Sequence, residues 1–253
     1  MLVDQNIKTK NTLKKYRTIK EHLINLRLNV IIFLIYFAVI FFISFYFSDY
    51  IMDFLINPFK KLLEKNNYSS NLIATSLTEN FFVAVKISLY FAILCVFPIL
   101  NIHILMYLKE ALNKQEKKIF IVISWLSLIL FYGGAIICYY VFINIIFDFF
   151  MKFSLTNLDV VLTPKINDYI NSVMFFMILV GVIFLIPIII FLLVYLNILN
   201  VENLKNNRKL IIFLSFVIAA IVTPPDPFSQ IIIAMLMWFL YEISFILIKY
   251  FKI

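Results

Sequence analysis

Apolar residues gather into six segments, at about residues 30–48, 81–108, 119–147, 170–196, 210–222 and 228–248, with polar and often charged stretches between them. Apolar runs of about 18 residues or more are long enough to cross a bilayer as helix. Helix is the expected state, because a strand with open edges leaves its backbone N–H and C=O groups unsatisfied in lipid. The pattern predicts an all-α, polytopic membrane protein with six transmembrane helices. It shows no repeat at solenoid spacing and no low-complexity tract.

The fifth segment is short. Arg208 and Lys209 stand at its start and Pro224 breaks it, which leaves 13 residues, Leu210 to Val222. At 1.5 Å per residue these span about 20 Å, less than the roughly 30 Å hydrocarbon core. The following bend, TPPDPFSQ at 223–230, is therefore expected below the membrane surface. An irregular backbone and an acid are tolerated at that depth only against protein or a wet cavity. Asp226 is expected in such a recess, with Ser229 and Gln230 as hydrogen-bonding neighbours. Pro227 at the first helical position also suits Asp226 as N-cap of the sixth helix. Folding the hairpin about residue 225 sets position 208 opposite 242, so Glu242 is expected in a local ion pair level with Arg208 and Lys209.

Composition agrees with this pattern. The 253 residues are 64% hydrophobic and 14% charged, with a mean hydropathy of +1.00, more apolar than a water-soluble domain needs. The net charge of +8 matters through its placement. Residues 1–29 carry seven Lys and Arg, loop 109–118 four, loop 197–209 three and the tail after 248 two. The other side has Lys60, Lys61, Lys65, Lys152 and Lys165, with Lys86 just inside a span. Sixteen against six places both termini on the synthesis (cis) side, N-in and C-in. The trans side then holds loops of about 30 and 20 residues and the 223–230 bend. A charge distributed in this way calls for no nucleic acid.

Candidate chemistry adds little. Cys95 and Cys138 lie inside apolar runs and read as small buried hydrophobes; His22 and His103 are isolated. No catalytic residues, cofactor or metal are expected, because the chain has no Gly-rich phosphate loop, no paired His ligands and no assignable Ser/His/Asp set. The first 29 residues are polar and Lys/Asn-rich, without the apolar core of a secretory signal or the Arg/Ser bias of a mitochondrial transit peptide. Insertion is expected where the chain is made. Only 3 Gly against 29 Phe, with abundant Ile, Asn and Lys, fits an AT-rich genome.

Several blocks, in order and at family spacing, resemble the TatC family, the large membrane subunit of twin-arginine protein translocases. HLINLR at 22–27 resembles the family's HLxELR motif. Thr78, Glu79, Phe81 and Lys86 resemble the segment that opens the second span, and Pro98 fits a proline within it. LNKQEKK at 112–118 resembles the L-Y-K-x-E-R-R cis loop, and FYGGAIICYY at 131–140 fits the Gly- and Tyr-bearing third span. Pro187 fits the fourth-span proline; TPPDPFSQ and LYEI (240–243) resemble the end of the family pattern. The resemblance implies a concave bundle and a receptor that is not an enzyme. Its partners would be twin-arginine signal peptides of folded precursors, single-span subunits of the TatA type, with the TatB type as a further candidate, the lipid bilayer, and further copies of itself in a receptor complex. Transport would be driven by the proton-motive force.

The resemblance also implies site residues. Carboxylates hold a guanidinium pair best, often two-pronged. Glu116 maps onto the family's signal-peptide glutamate, and Arg27 and Tyr107 fall at family positions near the cis face. The lysines at 114, 117 and 118 compete with an incoming arginine, so recognition needs geometry as well as charge. Asn25 replaces the acid of HLxELR, and Glu21, one turn earlier on the same face, is the candidate to stand in for it. Ile19, Leu23, Leu26 and Val30 form the apolar stripe of an expected interfacial helix. Glu110-Ala111 stands where the family has Pro-Gly. Leu185 occupies the position where many members carry Glu or Gln, a polar anchor for a partner helix; Gly181 one turn earlier offers close packing instead. On the trans side, Pro224, Pro225, Asp226 and Gln230 are the candidate hairpin and partner-contact residues.

Two rival readings come from other classes. A proton-coupled transporter would use Asp226 and Glu242 as a relay, but transporters usually have helices broken near midplane and paired repeats, and neither is legible here. An assembly subunit of a respiratory complex is the third reading; the motif order argues against it. The first expectation for location is the mitochondrial inner membrane, for a mitochondrion-encoded protein. A bacterial plasma membrane is the alternative, with the thylakoid ranked third.

Overall fold

A computed structural model describes residues 19–65, 72–109, 114–155, 163–223 and 226–250, with the side chains of 19–26, 105–116, 154 and 155 outside the description. Ten α-helices follow one another among these residues: α1 (Ile19–Tyr46), α2 (Ser48–Lys65), α3 (Glu79–Lys109), α4 (Lys114–Ile137), α5 (Ile143–Leu155), α6 (Ile166–Ile183), α7 (Ile186–Tyr195), α8 (Val201–Asn206), α9 (Arg208–Val222) and α10 (Pro227–Tyr250). A π-helical turn, Cys138–Phe142, joins α4 to α5. No strand occurs among the described residues; the single bridge, Ile73 to Lys165, ties the segments that lead into α3 and α6.

Five runs are long and apolar enough to cross a membrane: Arg27–Tyr46, Glu79–Ile104, Lys117–Phe153, Ile166–Tyr195 and Pro227–Tyr250. The sixth apolar element, α9, has 15 residues, about 22 Å of helix at 1.5 Å per residue. Its shortness follows from Arg208 at one end and the proline bend at the other.

The core forms around α6. Ile170, Val173 and Met174 are fully buried against Val83 and Ile87 of α3, Phe131 of α4 and Ile233 of α10. A second, smaller cluster holds the other end, with Ile188, Phe191, Leu204, Tyr241 and Ile248. Small residues set the α4–α6 distance. A Cβ on Gly134 would lie 2.7 Å from the Phe184 ring, and one on Gly181 3.0 Å from the Phe131 ring. Gly134 of α4 receives Phe184, the residue just past α6, and Gly181 of α6 receives Phe131 of α4, the small-to-large fit expected between helices in lipid. The close approach Gly181 allows is thus used inside the chain, where the sequence reading reserved it for a partner helix.

Prolines shape three helices, and the outcomes differ. A proline inside a helix has no N–H for the carbonyl four residues earlier. Pro98 orphans Leu94 O, and the Tyr132 hydroxyl donates to that oxygen at 3.0 Å. Pro58 orphans Phe54 O, and the Tyr139 hydroxyl donates to it at 2.5 Å. Both α3 and α2 run on unbroken. Pro187 orphans Ile183 O, to which no side chain of the described residues donates; the chain turns at Phe184–Leu185 and restarts as α7. The expected fourth span is therefore broken, a feature that the sequence reading did not anticipate. The residues at the break are apolar and offer no ion site.

Two other elements depart from expectation. The interfacial helix is not separate, because α1 runs continuously from Ile19 into the span. The trans loop of about 30 residues contains α2, whose Leu55, Ile56, Phe59, Leu62 and Leu63 are buried while Asp53, Lys60, Lys61, Glu64 and Lys65 are exposed. Three- and four-residue spacing of the apolar positions makes this an amphipathic helix laid on the bundle.

Candidate functional site

The candidate recognition residues converge on one end of the bundle by antiparallel packing. Phe45 near the end of α1 contacts Phe81 near the start of α3, with ring centroids 6.3 Å apart. Counting away from that contact in opposite directions sets Glu21 and Asn25 level with about residues 101–105 of α3. The hydrogen bonds of Asn101 with Ser124 fix the α3–α4 register in the same way, so the end of α3, with Tyr107, lies beside the start of α4, with Glu116. The side chains of Glu21, Asn25, Tyr107 and Glu116 are outside the described residues, as are Glu110 and Ala111 entirely. Arg27 is exposed.

Next to this end lies a groove between α3, α4 and α7, with a volume of about 250 Å³. Phe97, Leu100, Ile104, Ile123 and Leu185 give it apolar walls. Its polar base is a closed network: Ser124 Oγ donates to Asn101 Oδ1 at 2.5 Å, and the Asn101 amide donates to Ser124 O at 3.1 Å and to Ser127 Oγ. Leu185, which the resemblance sets at a position polar in many members, lines the same groove as this amide. Sequence reasoning missed the cluster. The available signal was three polar residues within otherwise apolar runs, a placement that in lipid demands partners.

The hairpin α9–α10 closes the other side. Asp226 is half-buried, and its carboxylate accepts the Ser229 N–H at 2.7 Å, the geometry of an N-cap on α10. Gln230 does not turn to Asp226; its amide donates to Phe216 O of α9 at 3.2 Å. Thr223 Oγ1 donates back to Ala219 O at 2.8 Å and ends α9. Phe228 stacks on Phe149 of α5 at 3.8 Å. Pro224 and Pro225 lie outside the described residues. At the hairpin's open end Arg208 Nη2 meets Glu242 Oε2 at 3.0 Å, and the guanidinium sits 5.5 Å from the Phe245 ring centroid. This is the level the register arithmetic set for them.

A further trans-side knot was not read from spacing. The Glu79 carboxylate, buried at the start of α3, accepts the Thr75 N–H, the Thr75 hydroxyl at 2.9 Å and the Asn167 N–H at 3.4 Å. Lys86 donates to Asn167 Oδ1 at 2.8 Å and Tyr90 to Asn171 Oδ1 at 3.0 Å. The half-buried Lys86 ammonium, about two turns into α3, is thereby held between α3 and α6, as a charge inside a span requires. Among the described residues no group of three or more His, Cys, Asp and Glu is placed to hold a metal ion.

The family model described as Sec-independent protein translocase protein (TatC) matches residues 21–235. The Sec-independent protein translocase protein TatC of Rickettsia prowazekii is 34% identical over 238 residues, covering 93% of this chain and 94% of its own. Its counterpart in Carboxydothermus hydrogenoformans is 30% identical over 239 residues, covering 94% and 95%. A crystal structure of the twin-arginine translocase receptor TatC superposes with a TM-score of 0.78 at 31% identity, over 90% of this chain and 98% of that one. With a family match over most of its length and relatives aligned nearly end to end, this chain belongs to the TatC family.

Proposed function

We propose that this protein is the twin-arginine signal-peptide receptor and core subunit of a Sec-independent translocase that moves folded proteins across a membrane on the proton-motive force. The observation that carries the reading is the convergence of α1, α3 and α4 at one end of the bundle, beside an apolar groove. Glu116 and Glu21 hold the two guanidiniums, while Arg27, Asn25 and Tyr107 shape the rim. The groove takes the apolar segment that follows the arginines. A carboxylate suits this work because it accepts paired N–H donors with geometric as well as electrostatic preference. The half-buried hairpin around Asp226 and Gln230 faces TatA-type and TatB-type partners, and several copies of the chain assemble in the receptor complex. The protein acts by binding and conveying, without catalysis.

The membrane we assign is the mitochondrial inner membrane. The bacterial source of the relatives favours a bacterial plasma membrane as the second reading. Photo-crosslinking tests the receptor role: probes at positions 21, 25 and 116 are expected to capture a twin-arginine precursor and to lose it when both arginines become lysines. Equal capture of the two precursors would contradict the proposal.

A further inference from the structure

At the trans end, a cavity of about 340 Å³ opens between α2 and the π-helical turn. Its floor is the Phe54–Tyr139 stack, with centroids 4.5 Å apart and planes within 8°, beside the buried Pro58. The Tyr139 hydroxyl that satisfies the carbonyl orphaned by Pro58 locks this floor in place. The π turn helps to present Tyr140 beside Tyr139 on the cavity wall; such single-turn insertions are frequent at functional sites.

The rim is cationic. Asn57, Lys61 and Lys65 are spaced four apart on one face of α2, and Tyr140 and Asn144 line the opposite wall. Among the described residues no carboxylate lines the cavity. Lys60 engages Asp53 at 3.6 Å and takes no part in the lining. Lys61 and Lys65 are exposed, and neither has a carboxylate partner among the described residues. Of the six basic residues on the trans side, three fall within 60–65, against the general bias of the chain. Two ammoniums without a carboxylate partner among the described residues, converging on an aromatic-floored cavity, suit an anion by charge complementarity.

Position selects the kind of anion. An amphipathic helix that leaves the end of an apolar span lies where the bilayer meets water. Ile136, Tyr140 and Val141 beside the cavity are exposed on the lipid-facing surface. A soluble phosphate has no use for that apolar wall, whereas a lipid uses the wall and the cationic rim together. We propose that this cavity binds the headgroup phosphate of an anionic phospholipid, with its acyl chains lying along Ile136, Tyr140 and Val141.

The test uses the full chain purified in detergent and titrated with phosphatidylglycerol, phosphatidylcholine or inorganic phosphate, with retained ligand read by native mass spectrometry. The wild type is expected to retain phosphatidylglycerol over phosphatidylcholine. Lys61→Gln/Lys65→Gln is expected to weaken that retention roughly thirtyfold, as loss of two basic residues near anionic lipid implies. Lys60→Gln is expected to leave it unchanged, and Lys61→Arg/Lys65→Arg to preserve it. Both lysines are exposed, so helicity measured by circular dichroism should be the same in every variant. Equal retention by wild type and the double glutamine variant would overturn the proposal. So would equal retention of the two lipids, or displacement of phosphatidylglycerol by millimolar inorganic phosphate.

Discussion

The second and fourth spans each carry a proline well inside the membrane, yet α3 continues through Pro98 while the α6–α7 span stops before Pro187 and starts again. The difference is a hydroxyl. Tyr132 donates to the carbonyl that Pro98 leaves free, and no side chain of the described residues does the same for Pro187. A helix tolerates proline in lipid when a neighbour satisfies the freed carbonyl. The Pro58–Tyr139 pair repeats the arrangement on α2, so two tyrosines of one segment, FYGGAIICYY, support prolines of two other elements. At the unsupported break, Phe184 turns into the space left by Gly134.

Altering the break directly should have the largest effect. Gly134→Val places carbon where the Phe184 ring lies, and overpacking of that kind costs about 1–3 kcal/mol; unfolding in bicelles should show it, and a wild-type midpoint would mean the contact is soft. Tyr132→Phe keeps the ring and removes the donor, so Leu94 O is left unsatisfied at a cost of about 1–2 kcal/mol. The same substitution in a Pro98→Ala background should be close to neutral, because the restored N–H takes the carbonyl. An identical cost in both backgrounds would mean that the Tyr132 hydroxyl does not stand in for the N–H that Pro98 lacks. Asp226→Ala removes the α10 cap, worth about 1 kcal/mol, with Asp226→Asn retaining most of it. Glu242→Gln should cost least, about 0.5 kcal/mol or below and salt-sensitive, because the pair with Arg208 is partly exposed.

What the sequence disclosed follows from how local each signal is. Long apolar runs, the short fifth helix and the level of Glu242 opposite Arg208 were readable because each depends on run length or on counting residues about one bend. The Asp226 cap was readable from Asp before Pro. The tyrosine supports were not, because Tyr132 and Leu94 are 38 residues apart and Tyr139 and Phe54 are 85 apart. Helix α2 was readable in principle from Leu55, Ile56, Phe59, Leu62 and Leu63, but Pro58 and the flanking charges made the stretch resemble a loop. The Asn101–Ser124–Ser127 base of the groove required the α3–α4 register. Resemblance pointed to Glu79 and Lys86, and only the fold showed them tying the starts of α3 and α6 together. For the cis rim, backbone placement brings the candidates to one end, and their roles rest on the family match and on the chemistry of carboxylates with guanidinium.

The most direct measurement is the equilibrium affinity of the purified protein for a twin-arginine signal peptide and for its twin-lysine counterpart, with Glu116→Gln and Glu21→Gln beside the wild type. The wild type is expected to prefer arginine, and Glu116→Gln to weaken binding of the arginine peptide about tenfold or more, in line with a charge-assisted bond of roughly 1.5–3 kcal/mol. Glu21→Gln should weaken it in the same direction. Unchanged arginine preference in both variants would mean that these carboxylates do not hold the guanidinium pair.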